Sequence, residues 1–164
     1  STTAWSFAKL AIDDQPLFEA IAAASLRIMD DGNAQGLSNT AWSFASRLFV
    51  HEPFLNALAA AARPSCENGP QDLANTAWSF ARLMILNKPL LDATSAPSLN
   101  MRREFIPQNL TNLAWAFAKL SCCDLPLMHA LSAEALPRIS VFNSQNISNT
   151  SWSMSVLSIL HQPL

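Results

Sequence analysis

The sequence predicts an all-α fold, an α-solenoid built from stacked helix-turn-helix repeats of about 37 residues. The first observation is a tryptophan at residues 5, 42, 78, 115 and 152, at intervals of 37, 36, 37 and 37 residues. The second is a set of marker residues at fixed distances from each tryptophan. The third is composition, because alanine, leucine and serine dominate and apolar residues do not alternate as they do in strands. A period of this length is typical of stacked repeat units.

Three markers keep their phase along the chain. A glutamine lies seven residues before the tryptophan, an asparagine lies three residues before it, and a proline lies eleven residues after it. The glutamines are Gln35, Gln71, Gln108 and Gln145, and the asparagines are Asn39, Asn75, Asn112 and Asn149. The prolines are Pro16, Pro53, Pro89, Pro126 and Pro163. So many residue types in one phase exclude a chance repeat.

Each repeat is expected to contain two helices, called helix A and helix B. Helix A begins near Pro70 or Pro107 in two of the repeats, since proline suits the first helical turn, where its missing N–H has no partner anyway. Asn33, Gly69 and Asn143 stand where a cap is wanted, and Ile106 is the exception. Helix A should run about sixteen residues to the marker proline, which opens helix B, for example over 16–29.

A single pair of helices cannot bury its apolar faces alone, so neighbouring repeats must stack. The resulting solenoid is either right-handed or left-handed. The predicted repeats cover residues 34–69, 70–106 and 107–143, and partial repeats cover residues 1–33 and 144–164. Neither end resembles the polar capping repeat of a finished array. We therefore expect the chain to be one slice of a longer array.

A helical wheel divides helix A into a broad apolar arc and a narrow polar sector. The predicted repeat core comprises Trp5, Trp42, Trp78, Trp115 and Trp152 at the edge of the arc, with Phe7, Phe44, Phe80 and Phe117 within it. The polar sector holds the marker amides, the serine after the tryptophan and a cation four residues after it. The candidate ligand-facing stripe is Lys9, Gln35, Asn39, Gln71, Asn75, Arg82, Gln108, Asn112, Lys119, Gln145 and Asn149.

Each member of this stripe has two interpretations. The tryptophans either pack between successive A helices, which their alanine neighbours favour, or offer stacking platforms for bases. The invariant amides either bond to the backbone of the next repeat, which is favoured, or contact a uniform nucleic-acid backbone. The cations either complement helix C-termini or follow phosphates. A base-selecting code would need variable positions, six residues before and eight after the tryptophan: Gly36, Asp72, Asn109 and Asn146, and Asp13, Val50, Leu86, Cys123 and Leu160.

The sequence argues against several functional classes. The formal net charge of −2 is not that of a strongly basic nucleic-acid binder. No apolar run is long enough for a transmembrane helix. His51, His129 and His161 are scattered, and Cys66, Cys122 and Cys123 lack the paired spacing of a zinc site. We therefore expect no catalysis, no metal and no cofactor.

The segment "FIPQNLTNLAWAFAKL" at 105–120 resembles the core of the octotricopeptide repeat, and most of that pattern recurs in every unit. This sequence departs from the family in the opening of helix B, where a lone proline replaces a proline-rich stretch. The resemblance implies an α-solenoid that binds single-stranded RNA in chloroplasts or mitochondria and supports transcript stability, processing or translation. No targeting peptide is visible in this sequence.

Two functions remain open at this point. The first is a non-catalytic RNA-binding segment of an organellar gene-expression factor. The alternative is a protein–protein scaffold, such as a structural subunit of a ribosomal, photosynthetic or respiratory complex, which the low charge and the small number of repeats favour.

Overall fold

The computed structural model describes residues 2–10, 14–27, 29, 34–61 and 69–157, and every element of regular structure in these ranges is helical. The α-helices are α1 (Thr2–Lys9), α2 (Gln15–Arg27), α3 (Ala34–Ser46), α4 (Glu52–Ala61), α5 (Pro70–Arg82), α6 (Lys88–Met101), α7 (Pro107–Lys119), α8 (Leu125–Ala135) and α9 (Ser144–Val156). Short 3₁₀ segments follow α6 at Arg102–Glu104 and α8 at Leu136–Val141. The all-α prediction is therefore confirmed for the described residues.

The helices form two rows. Each odd-numbered helix carries one of the five tryptophans, and α1, α3, α5, α7 and α9 pack on one another in that order. The even-numbered helices pack in a second series, α2 on α4, α4 on α6 and α6 on α8. The odd-numbered helices are thus the predicted A helices and the even-numbered ones the predicted B helices.

The predicted starts of the A helices are confirmed where the structure describes them. Helices α5 and α7 begin at Pro70 and Pro107, and Gly69 and Ile106 are their N-cap residues. Asn143 caps α9, because its side chain accepts a hydrogen bond from the backbone N–H of Asn146 at 2.8 Å. The candidate cap Asn33 lies outside the described residues.

The A helices are shorter than predicted, at 13 residues in α3, α5 and α7 instead of about sixteen. Each is followed by a non-glycine residue in the left-handed region, namely Leu48, Met84 or Ser121, with φ of 55°, 58° and 52°. The next residue then donates its backbone N–H to a carbonyl in the last helical turn, as Ile85 does to Phe80 at 2.9 Å. The sequence concealed this ending because glycine, its usual marker, is absent.

We expect Met84→Gly to raise the free energy of unfolding by about 0.5–1 kcal/mol. A left-handed backbone costs a non-glycine residue roughly 1–2 kcal/mol, and the greater freedom of glycine in the unfolded chain offsets part of that gain. Leu86→Gly is the matched control, since Leu86 is as exposed as Met84, at 62%, but lacks a positive φ. Urea denaturation compares the two variants. A Met84→Gly protein no more stable than Leu86→Gly would contradict the expected relief of strain.

The B helices begin as the marker prolines predict. Pro16, Pro53, Pro89 and Pro126 are each the second residue of their helix. The residue two before each proline caps the helix by accepting the backbone N–H three residues ahead. These caps are Asp14, His51, Asn87 and Asp124, at 3.0, 3.1, 3.0 and 3.0 Å. The helix predicted over 16–29 spans Gln15–Arg27, and Pro163 lies outside the described residues.

The core lies between the two rows and consists of alanine, leucine and phenylalanine side chains, of which the phenylalanines are the largest. Phe44, Phe80 and Phe117 are buried, as predicted, whereas Phe7 in α1 is half-buried. Around Phe44, the ring centroids of Phe18 in α2 and Phe54 in α4 lie at 5.6 and 5.3 Å. These contacts join one A helix to the B helices before and after it.

Candidate functional site

One narrow face of each A helix remains accessible to solvent. In α3, α5, α7 and α9 it carries the glutamine at −7, the asparagine at −3, the tryptophan and the residue at +4, numbered from the tryptophan, whereas α1 contributes Trp5 and Lys9. Spacings of four, three and four residues place these side chains in one line along the helix. We call this surface the amide–indole strip and define it as Lys9, Gln35, Asn39, Gln71, Asn75, Arg82, Gln108, Asn112, Lys119, Gln145, Asn149 and the five tryptophans. The four glutamines and three cations are exposed, and the four asparagines are half-buried.

The tryptophans form a ladder across the A helices. The ring centroids of Trp42 and Trp78 lie 6.1 Å apart, those of Trp78 and Trp115 lie 6.2 Å apart, and those of Trp115 and Trp152 lie 6.5 Å apart. From α3 to α9, successive A helices therefore contact each other indole to indole, as the packing interpretation proposed.

The indoles lie at the margin of the buried core, and Trp115 packs against its buried residues. Trp5 and Trp152 are 44% and 42% exposed, and Trp42, Trp78 and Trp115 are half-buried. The reason is their place at the rim of the apolar arc, where one edge of each ring reaches solvent.

The ladder also restricts base stacking. A base between two parallel rings needs about 7 Å, twice the optimal carbon–carbon contact of about 3.5 Å. The observed spacings are shorter. Trp78 and Trp115 each have a neighbouring indole on both sides. A ligand can therefore touch their exposed edges but cannot insert between them in this arrangement.

Lys9 takes part in the ladder at its first step. Its Nζ atom lies 5.6 Å from the ring centroid of Trp5 and 5.6 Å from that of Trp42. Both distances are within the range of cation–π attraction. Lys9 thus contacts two aromatic rings. The sequence had suggested that its charge complements the C-terminus of its helix, and this aromatic contact is an additional role.

The side-chain amides of the strip form no hydrogen bonds to the described part of the protein. Among the described residues, the side chains of the four glutamines and four asparagines have no hydrogen-bond partner in the protein. The bonds to the backbone of the next repeat that the sequence favoured are therefore not formed there. Eight side-chain amides instead lie along one surface with donors and acceptors available to a ligand.

Other polar residues connect the repeats. The Ser38 hydroxyl donates to Asp72 Oδ1 at 2.7 Å, and Asn146 Nδ2 donates to Thr111 Oγ1 at 3.1 Å. Asp72 also accepts from the backbone N–H of Gly69 at 3.3 Å. Asp72 and Asn146 occupy the variable position six residues before the tryptophan. That position therefore serves helix capping and inter-repeat contact instead of reading a ligand.

The second set of variable positions also lies off the strip. Val50, Leu86 and Cys123, eight residues after the tryptophan, are exposed at the turns between helices A and B. Two of these side chains are apolar and offer no hydrogen bonds to a base. Asp13 and Leu160 lie outside the described residues. Neither variable position supports a base-selecting code, and the constant amides remain the candidate ligand-binding groups of the strip.

The serine after the tryptophan is exposed in α1, at Ser6, but does not face solvent in α3, α5 and α9 as the wheel predicted. Ser43, Ser79 and Ser153 are buried, and each hydroxyl donates to the backbone carbonyl of the strip asparagine in its own helix, at 2.7, 2.6 and 2.6 Å. Ala116 takes this place in α7. A small side chain is needed here because the next A helix packs against it.

The strip differs in charge from the whole chain. Its members include Lys9, Arg82 and Lys119, and none of them is acidic. The chain as a whole has a net charge of −2. The strip is therefore a locally positive surface on a slightly acidic protein, which favours an anionic ligand there.

The residues considered for catalysis lie apart from the strip. His51 caps α4 through Nδ1, and His129 is exposed on α8. Burial raises the pKa of the Cys122 thiol; the charge of Lys88 opposes that rise, and the carboxylates of Asp92 and Asp124 add to it. A raised pKa leaves less thiolate, so Cys122 is a poor nucleophile at neutral pH. Cys66 and His161 lie outside the described residues.

Within the described part of the chain, no three His, Cys, Asp or Glu side chains are grouped so as to hold a metal ion. None of the helices described there has the length and apolar character needed to cross a membrane.

No family model and no curated protein sequence matches the chain.

Proposed function

We propose that the two helix rows are a segment of an α-solenoid of 37-residue repeats, similar to octotricopeptide repeats, and that this segment is a non-catalytic module binding single-stranded RNA along the amide–indole strip. The observation that carries this proposal is the row of unengaged amides, which shares one face of successive A helices with three cations and no carboxylate. A strand that crosses the A helices meets the amide pair in α3, α5, α7 and α9, and a cation in α1, α5 and α7.

The chemistry of the strip suits a single strand. Cations neutralise phosphates and supply affinity, while amides can bond to the exposed edges of unpaired bases. A duplex hides those base edges in its interior and in a deep, narrow major groove. The chain therefore fits single-stranded RNA better than a double helix.

The family resemblance supplies the biological part of the proposal. It implies a protein of chloroplasts or mitochondria that acts on the stability, processing or translation of transcripts. The cysteine content suits a reducing compartment, because three cysteines, two of them adjacent, are not the even set of a disulfide framework.

A protein scaffold is the second candidate, and a separate surface favours it. Several apolar side chains are exposed at the turns between helices A and B. They are Leu48, Val50, Met84, Leu86 and Leu125, all at least half exposed. Exposed apolar groups in one region mark protein contacts. Because this surface is distinct from the strip, a protein partner and RNA can bind independently.

Fluorescence anisotropy with a random pool of single-stranded RNA, about 12 nucleotides long, tests the proposal. At about 50 mM salt we expect saturable binding in the micromolar range or tighter, as for proteins that contact phosphates. An RNA hairpin with a fully paired stem is the control and should bind more weakly. Absence of binding to the pool at low salt would remove RNA binding as the function of this segment.

A further inference from the structure

We infer that the amide–indole strip selects adenine-rich single strands, with one adenine held by the two amides of each repeat. This inference rests on the proposed function and names the RNA sequence that the strip takes. The amide pairs are Gln35 with Asn39, Gln71 with Asn75, Gln108 with Asn112, and Gln145 with Asn149.

Each repeat offers two amides and not one. The paired residues are four positions apart on one helix face, so their β-carbons lie about 5–6 Å from each other. A primary amide presents a donor and an acceptor side by side. Because neither amide of a pair is bonded within the described protein, both are available to the same ligand group.

Two such amides are complementary to adenine. Adenine presents an acceptor–donor pair on its Hoogsteen edge, through N7 and the N6 amino group, which Asn or Gln can bind with two hydrogen bonds. It presents a second such pair on its Watson–Crick edge, through N1 and the other hydrogen of N6. Guanine offers two acceptors on its Hoogsteen edge, and cytosine and uracil present a donor–acceptor pair only on the Watson–Crick edge. A base held by amides at both edges is therefore adenine.

The uniformity of the strip predicts a uniform ligand. Repeat proteins that read RNA base by base assign one nucleotide to each helical repeat, and different bases require different side chains. Here the same two amides recur in four described A helices, α3, α5, α7 and α9. The inferred ligand is thus a run of four adenines.

In α5 and α7, Arg82 and Lys119 indicate where the rest of the nucleotide lies, whereas α3 and α9 carry Ser46 and Val156 in place of a cation. The cation position is seven residues beyond the asparagine, about 10 Å along the helix axis. The N-terminal ends of α5 and α9 are occupied by their own capping groups, Asp72 and Asn146. Phosphates therefore lie at the cation end of the strip and bases at the amide end. The closed indole ladder between them supports the sugar or base through ring edges, because no base can insert between its rings.

Oligoadenylate, oligouridylate and oligocytidylate of about 12 nucleotides test the inference by fluorescence anisotropy. We expect oligoadenylate to bind about tenfold more tightly than the two pyrimidine oligomers, or better, since each bidentate contact to the right base contributes roughly 1–3 kcal/mol of discrimination. The variants Gln71→Ala/Gln108→Ala and Asn75→Ala/Asn112→Ala should each lose most of this preference while binding oligouridylate nearly as before.

Gln15→Ala/Asn100→Ala is the matched control, because it removes one Gln and one Asn that are exposed on B helices, and it should keep the preference. Thermal melts monitored by circular dichroism verify that all variants fold. Equal binding of all three oligomers would overturn the adenine assignment and leave RNA binding standing. An equal loss for adenine and uracil in the strip variants would show that the amides contact the RNA backbone, which also overturns it. No binding to any oligomer would contradict the proposed function itself.

Discussion

Phe44→Ala is expected to lower the free energy of unfolding by about 3–5 kcal/mol, the range for a buried aromatic side chain cut back to alanine. Phe44 is fully buried, and its ring contacts those of Phe18, Phe49 and Phe54 at centroid distances of 5.6, 5.0 and 5.3 Å. The substitution removes these contacts and leaves a cavity where α2, α3 and α4 meet. Since small domains are stable by only about 5–15 kcal/mol, the variant should be close to unfolding.

Urea denaturation followed by circular dichroism measures this loss. Val50→Ala is the control, since Val50 is exposed at a turn and its truncation should change stability by less than about 0.5 kcal/mol. Phe44→Leu provides a milder variant in case the alanine protein does not fold. A loss below about 1 kcal/mol for Phe44→Ala would show that the cluster of Phe18, Phe44, Phe49 and Phe54 is not the centre of the core.

The structure changes the ranking of the aromatic residues. The sequence places Phe44 and Trp78 in the repeat core. It therefore predicts a loss of about 3–5 kcal/mol in the free energy of unfolding for Trp78→Ala as well. Trp78 is half-buried, however, and its ring contacts are with other indoles at the rim of the A row. We therefore expect Trp78→Ala to cost less stability than Phe44→Ala.

Removal of two strip cations should abolish most of the salt dependence of RNA binding. With three phosphates neutralised, the slope of log K against log salt is about −2.1, so affinity falls about 20-fold between 50 and 200 mM salt. In Arg82→Ala/Lys119→Ala only Lys9 remains. The slope is then about −0.7, and the same change in salt lowers the affinity about threefold.

The matched control for charge is Arg27→Ala/Lys88→Ala, which removes two exposed cations from B helices. Its net charge equals that of the strip variant, so a general loss of positive charge would affect both proteins equally. We expect the control to keep the slope of the unaltered chain. Equal slopes for the strip and control variants would show that RNA does not follow Arg82 and Lys119.

Local rules made much of the fold predictable. Proline lacks an N–H and has a fixed φ, so Pro70, Pro107 and the marker prolines identify helix starts from sequence alone. The apolar arc of helix A likewise placed Phe44 and Phe80 in the core. These features depend on residues within one turn of each other or on a single helix face.

The features that could not be predicted depend on neighbouring helices. A wheel describes an isolated helix, whereas each inner A helix is covered by an A helix on either side and by B helices. That additional cover buries Ser43 and Ser79, which the wheel assigned to solvent, and narrows the exposed sector to the strip. The helix ends at Leu48 and Met84 were missed because neither residue type indicates a left-handed backbone. The unengaged state of the amides follows only from the absence of partners in three dimensions.

The most direct test of the RNA-binding strip is a nuclear magnetic resonance titration of the indole N–H signals of the ¹⁵N-labelled chain with oligoadenylate. We predict that the signals of Trp42, Trp78 and Trp115 shift on RNA binding, because the exposed edges of these rings lie between the amides and the cations. Anisotropy under the same conditions shows whether RNA is bound. Bound RNA that leaves all three indole signals unchanged would contradict the strip as its site.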